Sequence, residues 1–245
     1  MKPLRAAWRL ARAVFHALVG LGIILFVFPR RSQLQRNAHV QAWALNMLAV
    51  LGIRLELHGK PPVSGPVLLV ANHISWLDIL VMHAARHCRF VAKAEVRRWP
   101  LIGTLATGGG TLYIERESRR DAMRVVHHMA ESLRRGEIVA VFPEGTTSDG
   151  QDLLPFHANL IQAAISADAP AQPVALGFID TATRKASLTP CYIGDDTFVG
   201  SLWRTLGGAP ITAVVRYGTP QKAQGRGRRA WAAELRSAVD ALRRH

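Results

Sequence analysis

Only two cysteines, Cys88 and Cys191, occur among 245 residues, and neither stands in a C-x-x-C pair or a cysteine-containing zinc pattern. That excludes a disulfide framework and points to a reducing compartment in which both are simply buried thiols. Acidic residues are scarce as well: 17 Asp and Glu face 31 Lys and Arg, a formal charge of +14 at pH 7. Such a balance calls for an anionic partner: nucleic acid, a membrane surface or a phosphorylated substrate. No nucleic-acid recognition motif or aromatic-interleaved basic patch is present, which argues against the first. The chain also lacks the G-x-S-x-G elbow of serine hydrolases, the P-loop pattern G-x-x-x-x-G-K-[ST] and the H-E-x-x-H zinc motif. "ATGGGT" is therefore a turn rather than a nucleotide cradle. His83 and His87 in "HAARH", with no glutamate or cysteine set to complete a metal site, are expected on a helix surface.

What is present begins with length and apolar content. At 49% apolar, 245 residues can bury one substantial core, with no repeat or low-complexity linker to divide it. Lys2, Arg5, Arg9 and Arg12 precede the apolar stretch "AVFHALVGLGIILFVF" (13–28), which "PRRS" closes abruptly. No small-residue cleavage site follows, so the segment is expected to be retained. A second apolar stretch, "VQAWALNMLAVLGI" (40–53), follows a short basic connector. The two predict a helical hairpin dipping into one leaflet with arginines at phosphate depth; the competing account is a pair of helices in a soluble core.

Near residue 54 the pattern changes to short β-rich runs separated by amphipathic helices. "IRLELHG", "PVLLVAN", "RFVAK", "TLYIE", "EIVAVFP", "QPVALGF" and "ITAVVRYG" are predicted strands. Helices are predicted over 77–86, over 121–135 with Ala122, Met123, Val126, Ala130 and Leu133 inward, at "HANLIQAAISA", and at the C-terminus with Trp231, Leu235, Ala238, Val239 and Leu242 on one face. "WPLIGTLATGGG" is expected to be broken. The alternation implies an α/β fold: a mixed, largely parallel sheet flanked by helices, preceded by the membrane-associated helical hairpin. The boundaries are 1–54 for the membrane-associating helices and 55–245 for the α/β unit.

Within this order "NHISWLD" (72–78) follows a buried strand. Five residues on a regular helix would place His73 and Asp78 about 140° apart, so they could not meet. The histidine must precede the helix, on a strand-to-helix turn of the kind where α/β sheets meet ligands. There Asp78 could hold one ring nitrogen while the other takes a proton. Ser75-Trp76-Leu77-Asp78 equally matches a helix-start pattern in which Ser75 caps and Asp78 answers the helix dipole. "FPEGTTSDG" (142–150) weighs toward chemistry. It delivers Glu144 to another strand end, followed by Gly145, Thr146, Thr147 and Ser148, a turn rich in N–H and hydroxyl donors for an anionic oxygen. Arg116, just after "GTLYIE", could grip a phosphate in bidentate fashion.

"NHISWLD", "GTLYIER", "FPEGTTS" and "PVALGF" occur in the order and spacing of the four motifs of the glycerolipid acyltransferases, and the chain most resembles the bacterial 1-acylglycerol-3-phosphate acyltransferases over roughly residues 55–180. The resemblance implies an acyltransferase domain over 55–245 that moves an acyl chain from acyl-CoA or acyl-carrier protein to a lysophospholipid hydroxyl, giving phosphatidic acid. His73 would be the general base and Asp78 its orienting partner, with no covalent enzyme intermediate, no metal and no cofactor. Asn72 and nearby backbone amides would steady the oxyanion; Gly110, Arg116, Glu144, Gly145, Thr146 and Thr147 would bind the acceptor; Pro173 would shape the thioester side. The implied location is the cytoplasmic face of the inner membrane, single-pass or monotopic, on an anionic surface. Thr147 stands where the third motif usually has arginine, and Glu115 where the second commonly has aspartate. One bidentate phosphate partner is missing, so lyso-ornithine lipid or lysophosphatidylglycerol remain alternative acceptors, and a non-catalytic basic membrane-binding protein the alternative class.

Overall fold

A computed structural model describes residues 2–114 and 119–244. In chain order the elements are α1 (Lys2–Gly22), α2 (Gln33–Leu51), β1 (Ile53–His58), β2 (Val67–Ala71), α3 (Leu77–Ala85), β3 (Arg89–Lys93), α4 (Ile102–Gly108), β4 (Leu112–Ile114), α5 (Arg119–Arg134), β5 (Ile138–Val141), α6 (Ala158–Ser166), β6 (Ala171–Asp180), α7 (Phe198–Gly207), β7 (Ile211–Tyr217) and α8 (Arg228–Arg243). The strands form one sheet in the order β1-β7-β6-β2-β5-β3-β4. Every pairing is parallel except β6 with β7.

β2 shows why its run is apolar throughout. Leu69 and Ala71 enter the core beneath α2 and α3, whereas Leu68 and Val70 enter the core beneath α5, α6 and α8. Both faces are covered, so no position is free for a polar residue. Leu68 and Leu69 are each 0% exposed, and full burial of such a side chain contributes about 1.5–3 kcal/mol. Helix α8 covers the second face through Trp231, Ala232, Leu235 and Val239.

The observed elements depart from the sequence expectations at several places. "WPLIGTLATGGG" is not simply broken: a 3-10 turn, Ala94–Arg98, leads through Leu101 at φ 61° into α4. The inner face of α5 is turned, with Val125, Met129, Ala130 and Leu133 buried and Met123 73% exposed. Helix α7 escaped prediction, although Thr197 caps it by accepting the Gly200 N–H at 3.1 Å.

α1 continues through a π turn, Ile23–Val27, and a 3-10 turn, Phe28–Arg30. Ser32 then opens α2 with a reciprocal capping box, and Gly52 closes it at φ 78°. α1 and α2 are clasped by His16 and Trp43, whose rings stack at 5.3 Å while each side chain bonds the other's backbone carbonyl at 3.0 Å. α2 buries Ala44, Met47, Leu48 and Leu51 in the core shared with α3 and the sheet. α1 differs: Pro3–Arg30 is long and apolar enough to cross a membrane, and its 18-residue apolar window has a mean hydropathy of 2.2 with only 11% of it buried.

The "HAARH" histidines are not on a helix surface, because α3 ends at Ala85 and turns His83 inward. His83 is 7% exposed and packs edge-on against Phe90 at 5.0 Å, with His87 beside it at 5.3 Å. Burial pushes His83 down to about 3 and His87 down to about 4, the latter partly offset by the Gly109 carbonyl. A histidine depressed on folding contributes stability that is complete above its ordinary value of 6.5 and is lost as pH falls toward the folded value. Unfolding in detergent should therefore grow easier between pH 6.5 and 4, by up to ~1.4 kcal/mol per pH unit per histidine. His83→Leu should flatten that slope by about one proton; denaturation midpoints that fall in parallel for both proteins would refute the assignment.

Candidate active site

The site forms where the parallel strands β2 and β5 end side by side, with Val70 opposite Val141. β2 stops being a strand at Asn72, whose amide replaces ladder bonds to β6. Its Nδ2 donates to the Leu176 carbonyl at 3.0 Å, and its Oδ1 accepts the Leu176 N–H at 2.7 Å. Asn72 is 1% exposed, so the amide expected at an oxyanion is spent on holding the turn to the sheet.

His73 comes next, before the helix as its spacing required. Asp78, in the first turn of α3, reaches back with Oδ2 to accept three donors: His73 Nδ1 at 2.8 Å, the Ile74 N–H at 2.6 Å and the Ser75 N–H at 2.9 Å. Support of the turn and orientation of the histidine thus fall on one oxygen. The carboxyl group is 0% exposed and the imidazole 19%. Because a carboxylate only accepts, Nδ1 carries the proton and the lone pair lies on Nε2. Ser75 Oγ accepts the Leu77 N–H at 3.3 Å.

Glu144 sits beneath the turn, 4% exposed. One oxygen accepts the His73 N–H at 2.7 Å and the other the Leu154 N–H at 2.9 Å. Burial raises its pKa above the usual carboxylate range, opposed by those two N–H donors. Its carboxylate therefore ties three chain segments together rather than facing an open acceptor site. The 150–154 segment is held in turn from α8: Arg236 donates to the carbonyls of Leu153 and Leu154, and Arg243 to those of Gly150 and Gln151.

The remaining expected residues divide. Gly145, at φ 74°, turns the chain against His157, where a Cβ would come within 3.0 Å of Cδ2. Thr146 is exposed. Thr147 gives its hydroxyl to the Tyr192 carbonyl, and Tyr192 N–H donates to the Ile74 carbonyl at 3.1 Å, so a second loop clasps both motifs. Gly110 does not join them: it precedes β4, level with Arg89, and its carbonyl takes the Arg89 Nε–H at 2.7 Å. Arg116 and Glu115 lie outside the described residues. Pro173 is within β6, in register with Val70, and its carbonyl accepts the Gly218 N–H at 2.9 Å. The residue that no spacing revealed as functional is Phe142, stacked on His73 at 4.0 Å with 7° between the rings. It was visible only as the first letter of "FPEGTTS".

An imidazole fixed by a buried carboxylate, at the C-terminal edge of a parallel sheet, is equipped to take a proton from a hydroxyl. The chain belongs to the acyltransferase family, whose model matches residues 54–177. It is 41% identical to a 1-acyl-sn-glycerol-3-phosphate acyltransferase of Neisseria gonorrhoeae, over 74% of this chain and 71% of that one. It is 35% identical to a lyso-ornithine lipid O-acyltransferase of Pseudomonas aeruginosa, over 98% of this chain and 93% of that one. The crystal structure of the 1-acyl-sn-glycerophosphate acyltransferase of Thermotoga maritima shares the fold, with a TM-score of 0.70 at 18% identity, covering 98% of this chain and 97% of that one.

Glu144→Gln tests the clamp. A glutamine amide can accept one of the two N–H groups but turns a donor toward the other, leaving a buried N–H unsatisfied at a cost of about 1–3 kcal/mol. The expected outcome is a denaturation midpoint lowered accordingly and a kcat reduced about 10–100-fold with KM little changed. A variant with wild-type kcat would show that the clamp does not place His73.

Proposed function

We propose that this chain transfers an acyl group from acyl-CoA or acyl-carrier protein to the free hydroxyl of a lysolipid, with His73 as general base. The observation that carries this reading is the 2.8 Å bond from His73 Nδ1 to a fully buried Asp78, which leaves Nε2 as the proton acceptor. Nε2 takes the hydroxyl proton as the oxygen adds to the thioester carbonyl. The tetrahedral intermediate then collapses with cleavage of the C–S bond, and the imidazolium returns the proton to the leaving thiolate. We read the transfer as direct, with no covalent enzyme intermediate; the nearby Ser148 Oγ donates to the His73 carbonyl at 3.4 Å. The step requires no cofactor. Oxyanion donors must come from amides other than those of His73, Ile74 and Ser75, which Glu144 and Asp78 already occupy.

The first acceptor is 1-acylglycerol-3-phosphate, giving phosphatidic acid, with Arg116 on the phosphate; the Neisseria relative's name supports it. A specific observation favours lyso-ornithine lipid as the second reading. Thr147 replaces the motif's arginine and turns its hydroxyl to Tyr192, so no guanidinium is supplied there. The relative named for that lipid also matches nearly end to end. The lipid acceptor, the apolar Pro3–Arg30 segment and the flanking arginines together support a single-pass or monotopic seat at the cytoplasmic face of the inner membrane.

Full-length wild type and His73→Ala, in matched membranes, should be offered lysophosphatidic acid, lysophosphatidylglycerol and lyso-ornithine lipid with each thioester donor. The wild type should acylate at least one, and His73→Ala should lose about 10²–10⁴-fold. Equal rates in the two proteins, or no product from any acceptor, would overturn the catalytic reading.

A further inference from the structure

Lipid contact is usually sought in the helix that is apolar along its length, yet two other elements of this chain lie against that helix. α4 rests on its far half: a Cβ on Gly108 would fall 2.4 Å from Ile24 Cδ1, and one on Gly20 would fall 3.1 Å from Leu105 Cδ2. α7 rests on its near half, where Arg5 donates to the Gly207 and Gly208 carbonyls at 3.0 and 2.8 Å and Arg9 to the Leu206 carbonyl at 3.1 Å. The segment leading into α4 meets α7 through Phe198, whose ring lies 6.4 Å from Trp99 and 5.2 Å from Trp76.

This junction leaves large apolar groups in the open: Trp99 is 44%, Trp203 45% and Val199 72% exposed. Lys93, Arg97 and Arg98 are exposed beside Trp99 in sequence. Leu101, two residues after Trp99, packs on the core and holds a positive φ of 61° as the chain enters α4. Exposed indoles bracketed by cations are what a protein presents at an anionic headgroup layer.

We propose that Trp99, Val199 and Trp203, with Lys93, Arg97 and Arg98, form a second lipid-contacting surface that seats the catalytic unit on an anionic bilayer. The inference rests on the reading that α1 lies in the membrane, and it adds where the active site then stands. Trp76 belongs to the catalytic turn, packs on Phe198 and donates from Nε1 to Ser201 Oγ at 3.2 Å. The seated surface therefore abuts residues 72–78, so that a lysolipid reaches His73 from the headgroup layer without crossing bulk water.

The test places a nitroxide on W99C, W203C, F26C and M123C in the full-length chain, Cys88 and Cys191 being buried at 0% and 3% exposure. Each is reconstituted on phosphatidylethanolamine–phosphatidylglycerol vesicles, and collisions with oxygen and with a water-soluble nickel chelate are compared. Labels at 99 and 203 should favour oxygen several-fold over the label at 123. Aqueous behaviour at 99 and 203 with lipid behaviour at 26 overturns the surface and leaves the anchor standing. An aqueous label at 26 with lipid-exposed 99 and 203 overturns the anchor and supports the surface. Nickel protection at 99 that appears only on adding acyl-carrier protein, without vesicles, assigns the patch to a protein and refutes the proposal. W99S/W203S should also lose about tenfold of its rate on vesicle-borne lysolipid while keeping its rate in detergent micelles; equal losses in both would count against a lipid role.

Discussion

A single buried oxygen organises the turn that carries His73. Asp78 Oδ2 accepts from the ring of His73 and from the two backbone amides that follow it, so the turn can close only in the conformation that brings all three donors to one point. A carboxylate taken out of water costs several kcal/mol unless it is repaid by hydrogen bonds, and here the repayment comes from the very residue it orients. The helix start and the histidine's tautomer are therefore one structural event. Whatever fixes the first turn of α3 also fixes which nitrogen of His73 is left free of Asp78.

That turn is suspended between β2 and two strands far from it in the sequence. Asn72 ties it to β6 and Glu144 ties it to the end of β5, while β2 delivers it. Only a sheet ordered with β2 between β5 and β6 brings these groups together, which is why the crossovers matter to the site. The support extends to the C-terminus, since Arg236 and Arg243 of α8 hold the carbonyls of the segment that Glu144 clamps. Phe142 completes the setting from β5's end, fixing the plane of the imidazole as Asp78 fixes its edge.

Features with a local period were legible in the sequence. β2 announced itself because a strand covered on both faces has no polar position, and the His73–Asp78 contact followed from excluding a helical arrangement that could not bring them together. Features decided by a distant partner were not. Nothing near Asn72 signals that its amide belongs to Leu176, and nothing near Glu144 distinguishes a clamp from a ligand until Leu154 is in place. Gly110 drew attention as a glycine beside a motif, yet its carbonyl serves Arg89. The histidines of "HAARH" were misplaced because helical spacing says nothing about where a helix stops, and α3 ends before His87. Amphipathic phase misled at α5, where Met123 is apolar but faces outward.

Asp78 also shows what its burial is for. Oδ1 is buried and, among the described residues, has no hydrogen-bond partner. Three bonds to the charged oxygen contribute roughly 1.5–3 kcal/mol each, against a desolvation cost of several kcal/mol and an unsatisfied oxygen that adds about 1–3 more. The sum lies near zero, so the carboxylate does little for stability. Its effect is geometric: the donors gathered on Oδ2 allow one position for the ring. A fold selected for stability alone would fill this position with an apolar side chain. What the cost secures is the ring's position: an imidazole on a free turn would spend most of its time pointing elsewhere, and misplacement of a reacting group by an ångström is costly in rate.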